Sequence, residues 1–204
     1  MIRVDDSGPI WEIRIDRPEK AGALTEAMLQ DLADTLRTAH SARALILTST
    51  GRVFSAGADL DAAHAGLATS PLWEEVSGAI AALPGLVIAA LNGTVAGGAT
   101  GMVLACDMRI AVPQARFFYP VMKLGYLPQP SDPVRMSALI GPARTRMILL
   151  GGHKVDAETA LAWGLVDEIV ADGSVVDRAR ELCADTVAAP LEIAHGIKAM
   201  CPVT

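Results

Sequence analysis

The sequence predicts an α/β fold, and three observations carry that prediction. Short, wholly apolar runs (Ala44–Thr48, Leu86–Leu91) read as strands buried on both faces, as in a parallel sheet. Between them lie stretches with apolar residues every three to four positions, the period of a helix with one buried face. Glycine and proline punctuate the joints, as at Pro84-Gly85 and Asn92-Gly93. Strands alternating with helices in this way build an α/β layer structure.

Taken in order, Ile10–Asp16 alternates apolar and charged side chains, the mark of a half-buried strand. Pro18 ends it, because proline cannot donate to a central ladder. Thr25 reads as the N-cap of a helix to about Ala39, with Met28, Leu29, Leu32 and Leu36 on one face. Ala44–Thr48 is the next strand, and Gly51–Asp61 a glycine-punctuated loop. A helix over Leu72–Leu83 stops at Pro84-Gly85. Leu86–Leu91 is a strand, Asn92-Gly93 a turn, Gly97–Cys106 a tightly packed helix and Met108–Val112 a further core strand. Helices are expected over Ser131–Ile140, Ala143–Leu150, Ala157–Trp163 and Val175–Ala188, with Gly141 and Gly164 just past two helix ends.

Composition bounds the function. A chain of 204 residues can bury one sizeable core. With 51% hydrophobic and 20% charged residues it reads as a soluble globular protein. A net charge of −6 and the lack of any basic stripe argue against a nucleic-acid partner. A small anionic ligand needs only a few local cations and backbone amides. Cys106, Cys183 and Cys201 have neither disulfide nor metal-ligand spacing, so buried, reduced thiols and no metal are expected. The first eleven residues contain no apolar core of a leader, and the apolar runs are short for a membrane span. A cytoplasmic protein with no membrane partner is the expectation.

Three segments then arrive in a fixed order. They are Asp16-Arg17-Pro18-Glu19-Lys20-Ala21-Gly22-Ala23-Leu24, Phe54-Ser55-Ala56-Gly57-Ala58-Asp59-Leu60, and Asn92-Gly93-Thr94-Val95-Ala96-Gly97-Gly98 running on to Cys106-Asp107. Together they resemble the crotonase (enoyl-CoA hydratase/isomerase) superfamily, whose members read RPEKxNAL, FxAGADL and NGxAxGGG…CD. Leu124-Gly125, Ile140-Gly141 and Trp163-Gly164-Leu165-Val166-Asp167 match as well. The resemblance implies a spiral of ββα units over residues 1–190. A helical C-terminal region would follow, of which 191–204 are a shortened remnant.

The chemistry behind those glycines can be stated physically. A thioester becomes an enolate when its α-carbon loses a proton or its β-carbon is attacked. Two backbone N–H donors fixed in advance stabilise that oxyanion. Glycine lets the backbone approach closely, and a helix starting at one donor adds its positive end. The resemblance places the donors at Ala58 and Gly98. It assigns coenzyme A, which arrives as part of the substrate rather than as a separate cofactor, to Lys20, Ala21, Ala23, Leu24, Ala56, Asp59 and Leu60. Lys20 reads either as a partner for a CoA phosphate or as a solvated lysine. Asp59 reads as ordering its own loop, and Gly22 stands where the family usually has asparagine.

The pattern then fails where a hydratase needs it. Hydration takes acid/base groups that position water and deliver a proton, and the family uses two glutamates for this. Gly101 stands at the first position and Val121 at the second, and neither can transfer a proton. Where some relatives carry an acid just after the Leu-Gly pair, this chain has Gln129. Asp132 is nearby, readable as a substitute acid/base or simply as part of the N-terminus of the next helix. Tyr119 and Tyr126 read as packed tyrosines or hydrogen-bond donors, and His64 as a loop histidine.

Three functions follow from this reading. One is an acyl-CoA protein that stabilises an enolate but has little or no hydratase activity. Another is a non-catalytic sensor or carrier of long-chain acyl-CoA. The third is a hydrolase of the Clp-protease kind, which shares this core but would have to use Thr100 and lacks an evident histidine. Relatives form trimers or hexamers, so a homotrimer or hexamer is expected, subject to the shortened C-terminus.

Overall fold

The computed structural model describes residues 1–201; residues 202–204 of the expected C-terminal remnant lie outside the described residues. Two sheets form the framework. The larger contains, in spatial order, β1 (Ile2–Asp5), β2 (Ile10–Ile15), β3 (Ala44–Ser49), β5 (Leu86–Leu91), β7 (Met108–Ala111) and β10 (Glu168–Ile169). From β2 onward its strands pair in parallel, and β1 joins the edge antiparallel. All six residues of β3 are buried, as a strand covered on both faces requires.

The smaller sheet contains β4 (Val53–Ser55), β6 (Thr94–Ala96), β8 (Arg116–Phe118) and β9 (Val155–Asp156). The chain passes from the larger to the smaller sheet three times, from β3 to β4, β5 to β6 and β7 to β8. Each short strand leads into a helix: α2 (Leu60–His64) after β4, α4 (Ala99–Leu104) after β6 and α5 (Val121–Leu124) after β8. That repetition is the spiral of ββα units that the motifs imply. Two longer helices, α1 (Glu26–Thr38) and α3 (Leu72–Ala81), pack on each other. The remaining helices are α6 (Asp132–Ile140), α7 (Pro142–Leu149), α8 (Ala157–Trp163), α9 (Val175–Leu182), α10 (Ala184–Ala188) and α11 (Leu191–Met200).

Strands β2, β3, β5 and β7 form where the apolar pattern places them. Thr25 caps α1 as expected, its side chain accepting from the Met28 N–H at 3.3 Å. None of the four strands of the smaller sheet was legible. β4 runs through what reads as a loop, and β6, β8 and β9 sit in stretches with no strand signal. Two or three residues are too few to show an alternating pattern. The single helix expected over Val175–Ala188 is broken at Cys183 into α9 and α10. Cys106 and Cys183 are buried, whereas Cys201 is exposed, contrary to the expectation for all three. Among the described residues, no helix is long and apolar enough to cross a membrane.

Candidate active site

The site grows from the C-terminal ends of β4, β6 and β8. These strands pair side by side in parallel, so the segments leaving them emerge as neighbours. Such carboxyl ends are where open α/β sheets present ligand sites.

Residues Ala56–Asp59 leave β4 and are laced to the first motif. The Ala56 N–H donates to the Ala21 carbonyl at 3.0 Å, Leu24 N–H to Gly57 O at 2.8 Å, and Asp59 N–H to Leu24 O at 2.8 Å. In such a parallel bridge the residue between the two paired positions turns its own N–H to the other side. That residue is Ala58. Gly98 leaves β6 and immediately precedes α4, where the first helical N–H groups have no partner within the helix. Among the described residues, neither the Ala58 nor the Gly98 N–H donates to a protein acceptor.

The two loops are held together backbone against backbone. Gly57 has φ 90°, and a Cβ there would lie 2.9 Å from Ala96 O and 3.4 Å from Gly98 N. A Cβ on Gly98 would lie 2.7 Å from Cδ2 of Trp73. The buried indole of Trp73 is itself fixed, donating from Nε1 to the Leu67 carbonyl at 2.8 Å. At Gly57 and at Gly98, no side chain larger than hydrogen fits without displacing backbone or the held indole.

Both donor residues line a pocket of about 200 Å³, together with His64, Trp73, Tyr119 and Val121. Of the residues assigned to coenzyme A by resemblance, Ala56 and Leu60 also line it. Ala23 and Leu24 are buried, Ala21 takes a left-handed backbone conformation (φ 52°), and Lys20 is exposed. Asp59 pairs with Arg17 at 2.9 Å and caps α2. Burial pushes its carboxyl up, but Arg17 and the Ala62 and Asp61 N–H groups outweigh this and hold it below the usual range. A larger groove of about 500 Å³, lined mostly by apolar residues of α5 to α7 and the loops between them, adjoins the pocket through Val121, Tyr126 and Leu127.

Asp132 stands behind Tyr119 at the head of α6, fully buried and outside the pocket lining. The Tyr119 hydroxyl donates to its Oδ2 at 2.9 Å, while Oδ1 has no partner. Burial raises the Asp132 carboxyl to about 7, with Tyr119 and Arg135 opposing and Glu74 adding to the rise. Burial, then Asp132, pushes the Tyr119 phenol far above its ordinary range, so it stays neutral. A Cβ placed on Gly101 would lie 2.5 Å from Oδ1 of Asp132. The carboxyl therefore fills the space from which a side chain at position 101 would start. α6 does begin at Asp132, after an N-cap Ser131 that makes no side-chain cap hydrogen bond. Gln129 is buried, with Nε2 donating to the Ser70 carbonyl at 3.4 Å. The Thr100 hydroxyl has no partner, so no histidine activates it as the hydrolase reading requires.

Sequence reasoning missed Trp73 as the backing of the corner and the meeting of Tyr119 with Asp132. Among the described residues, no cluster of metal-ligating side chains occurs.

The sequence pattern of the family described as Enoyl-CoA hydratase/isomerase matches residues 5–201. The chain belongs to this family, within the crotonase superfamily. A carnitinyl-CoA dehydratase of Citrobacter koseri is 38% identical over 198 residues, covering 92% of this chain and 75% of that protein. A probable enoyl-CoA hydratase, echA6, of Mycobacterium tuberculosis is 32% identical over 197 residues, covering 96% and 80%. The solved structure of an enoyl-CoA hydratase/isomerase from Pseudoalteromonas atlantica superposes with TM-score 0.90 at 27% identity, covering 98% of this chain and 82% of that one. The ββα spiral is thus the family's architecture, and the corner at Ala58 and Gly98 is built on it.

Proposed function

We propose that this chain binds an acyl-CoA thioester and stabilises its enolate through the N–H groups of Ala58 and Gly98. The observation that carries this is two backbone donors without protein acceptors, lining one pocket and locked by glycine packing. An enolate oxygen set between them gains several kcal/mol relative to water, on the order of what one removed oxyanion donor costs in other enzymes. The CoA moiety lies along Lys20–Leu24 and Ala56–Leu60, held mostly by backbone. Hydratase activity is very low or absent, because Gly101 and Val121 stand at the two positions where the family carries glutamate. Reactions that need enolate stabilisation without those glutamates, such as decarboxylation or thioester hydrolysis, suit the site better.

The test is to mix the protein with crotonyl-CoA and with a long-chain enoyl-CoA, following both binding and loss of the conjugated thioester absorbance. Binding with little loss supports the proposal. Fast loss would refute the low hydratase activity, and absent binding would refute the acyl-CoA reading altogether.

A second reading is a non-catalytic carrier or sensor of long-chain acyl-CoA. The apolar groove that adjoins the pocket past Val121 favours it, since a long tail can leave the thioester site along that path. Micromolar or tighter binding of palmitoyl-CoA without turnover supports this reading, and loss of affinity with chain length counts against it. The proposal includes a cytoplasmic homotrimer or hexamer, which light scattering of the purified protein checks.

A further inference from the structure

We propose that Tyr119 and Asp132 form one proton-transfer unit that serves the α-carbon of the bound thioester in place of the missing glutamates. The inference rests on the acyl-CoA reading of the same pocket and adds the group that moves the proton.

Four observations converge on it. Tyr119 lines the pocket that holds Ala58 and Gly98, which places its ring beside the site proposed for the thioester. Its hydroxyl reaches back to Oδ2 of Asp132 at 2.9 Å, a single hydrogen bond linking the pocket to a buried carboxyl. The carboxyl occupies the very space beside α4 from which a residue 101 side chain would project, three residues past the Gly98 donor. Its Oδ1 is buried with no partner at all. A buried, half-satisfied carboxyl is costly, and perturbed carboxyls of this kind concentrate at functional sites.

The step balances without any co-reactant. In the forward direction the α-carbon gives its proton to Oη of Tyr119 as the tyrosine's own proton passes to Oδ2 of Asp132. The electron pair of the C–H bond becomes the enolate double bond, and the charge moves onto the oxygen between the two N–H donors. The reverse sequence protonates an enolate made by any other route. Tyr119 stays a neutral relay throughout, in keeping with its strongly raised phenol. Asp132 acts through it and is a positioning residue that stores the proton.

The groups facing this pair set its titration. Glu74 approaches from α3 and adds negative charge, Arg135 on α6 itself opposes it, and α4 contributes only the uncharged Gly101 surface. The arginines of α7, on the helix packed against α6, are exposed. With the carboxyl near 7, removal of the α-proton requires its ionised form, so the rate rises as pH climbs through about 7.

Butyryl-CoA in D₂O isolates the step, because this saturated thioester offers the pocket only an acidic α-C–H. Mass spectrometry reads deuterium uptake, and calorimetry on the same samples reads binding. The wild-type protein is expected to exchange faster than buffer, with a rise through pH about 7. Tyr119→Phe, which keeps the ring, should slow exchange about 100-fold or more with binding changed by less than about threefold. Asp132→Asn should lose the same rise with pH, and Tyr119→Phe stands on its own if that variant fails to fold. Binding by the wild type without exchange, or exchange by Tyr119→Phe at the wild-type rate, overturns the proton-transfer unit and leaves the acyl-CoA reading intact. Absence of binding overturns both.

Discussion

Two walls of one pocket are built by opposite means. The wall at Ala58 and Gly98 is backbone: its donors are peptide N–H groups, and its precision comes from Gly57, Gly98 and the indole of Trp73 packed where no Cβ fits. The other wall is side chain: Tyr119 lines the pocket, and behind it a carboxyl from another helix receives its hydroxyl and fills the space beside Gly101. A backbone donor cannot be moved to a different residue without rebuilding the loop. A carboxyl can be supplied from any element that reaches the same place, because acid/base chemistry needs a group at a position and not a particular residue number. The first wall is therefore rigid in sequence and the second free to be rebuilt.

The comparison is broken most sharply by Gly98→Ala. Its Cβ would meet Trp73 at 2.7 Å, and displacing that N–H should cost about 100-fold or more in the α-proton exchange of butyryl-CoA. Retention of the wild-type rate would show that the corner is not rigid.

Asp132→Asn tests the other wall through stability. A carboxyl moved from 3.8 to about 7 is stabilised in its protonated form. The native state then binds the extra proton between those values, so its penalty is absent below 3.8, grows as pH rises and is complete above about 7. The ionised form costs up to about 4 kcal/mol, and the amide returns part of this by a weaker bond to Tyr119. The variant should therefore be more stable than wild type at pH 8 by about 2 kcal/mol, and the difference should shrink toward pH 5 in urea titrations. A difference independent of pH would place the titration elsewhere.

Gly101→Ala sharpens the claim that carboxyl and residue 101 share one space. It should destabilise the wild type by about 1 kcal/mol, the crowding outweighing the gain in helix propensity. In an Asp132→Ala background the same change should be neutral or stabilising, and that coupling is read from a double-mutant cycle. Additive effects would separate the two sites.

Ala58→Ser is the mildest probe. Because the donor is backbone, butyryl-CoA affinity should change by less than about threefold. A large loss would mean that the methyl group, rather than the N–H, is what the pocket needs.

Much of the larger sheet was legible because β5 is apolar throughout, β3 is apolar over its first four residues and β2 alternates from Trp11 to Ile15. The three-residue strands β4, β6 and β8 were not, although they aim every segment of the pocket. The glycine motifs beside β4 and β6 were still visible, and it was their resemblance to the family pattern that named Ala58 and Gly98. The reading of Asp132 as either a helix terminus or an acid stayed open, since both require a polar residue before an apolar run.

The sequence by itself determined the α/β class and, through its three ordered motifs, the family; the assignment of Ala58 and Gly98 as donors follows from that family resemblance. Periodicity specifies strands and helices, and glycine marks where a chain must come close to another. Only the tertiary structure decided that Tyr119 meets Asp132, that Trp73 backs Gly98 and that a carboxyl fills the gap at Gly101. Those contacts join the segment just after β8 to α6, α3 to the start of α4, and α4 to α6. Side-chain packing between elements distant in the chain leaves no periodic trace along any one of them.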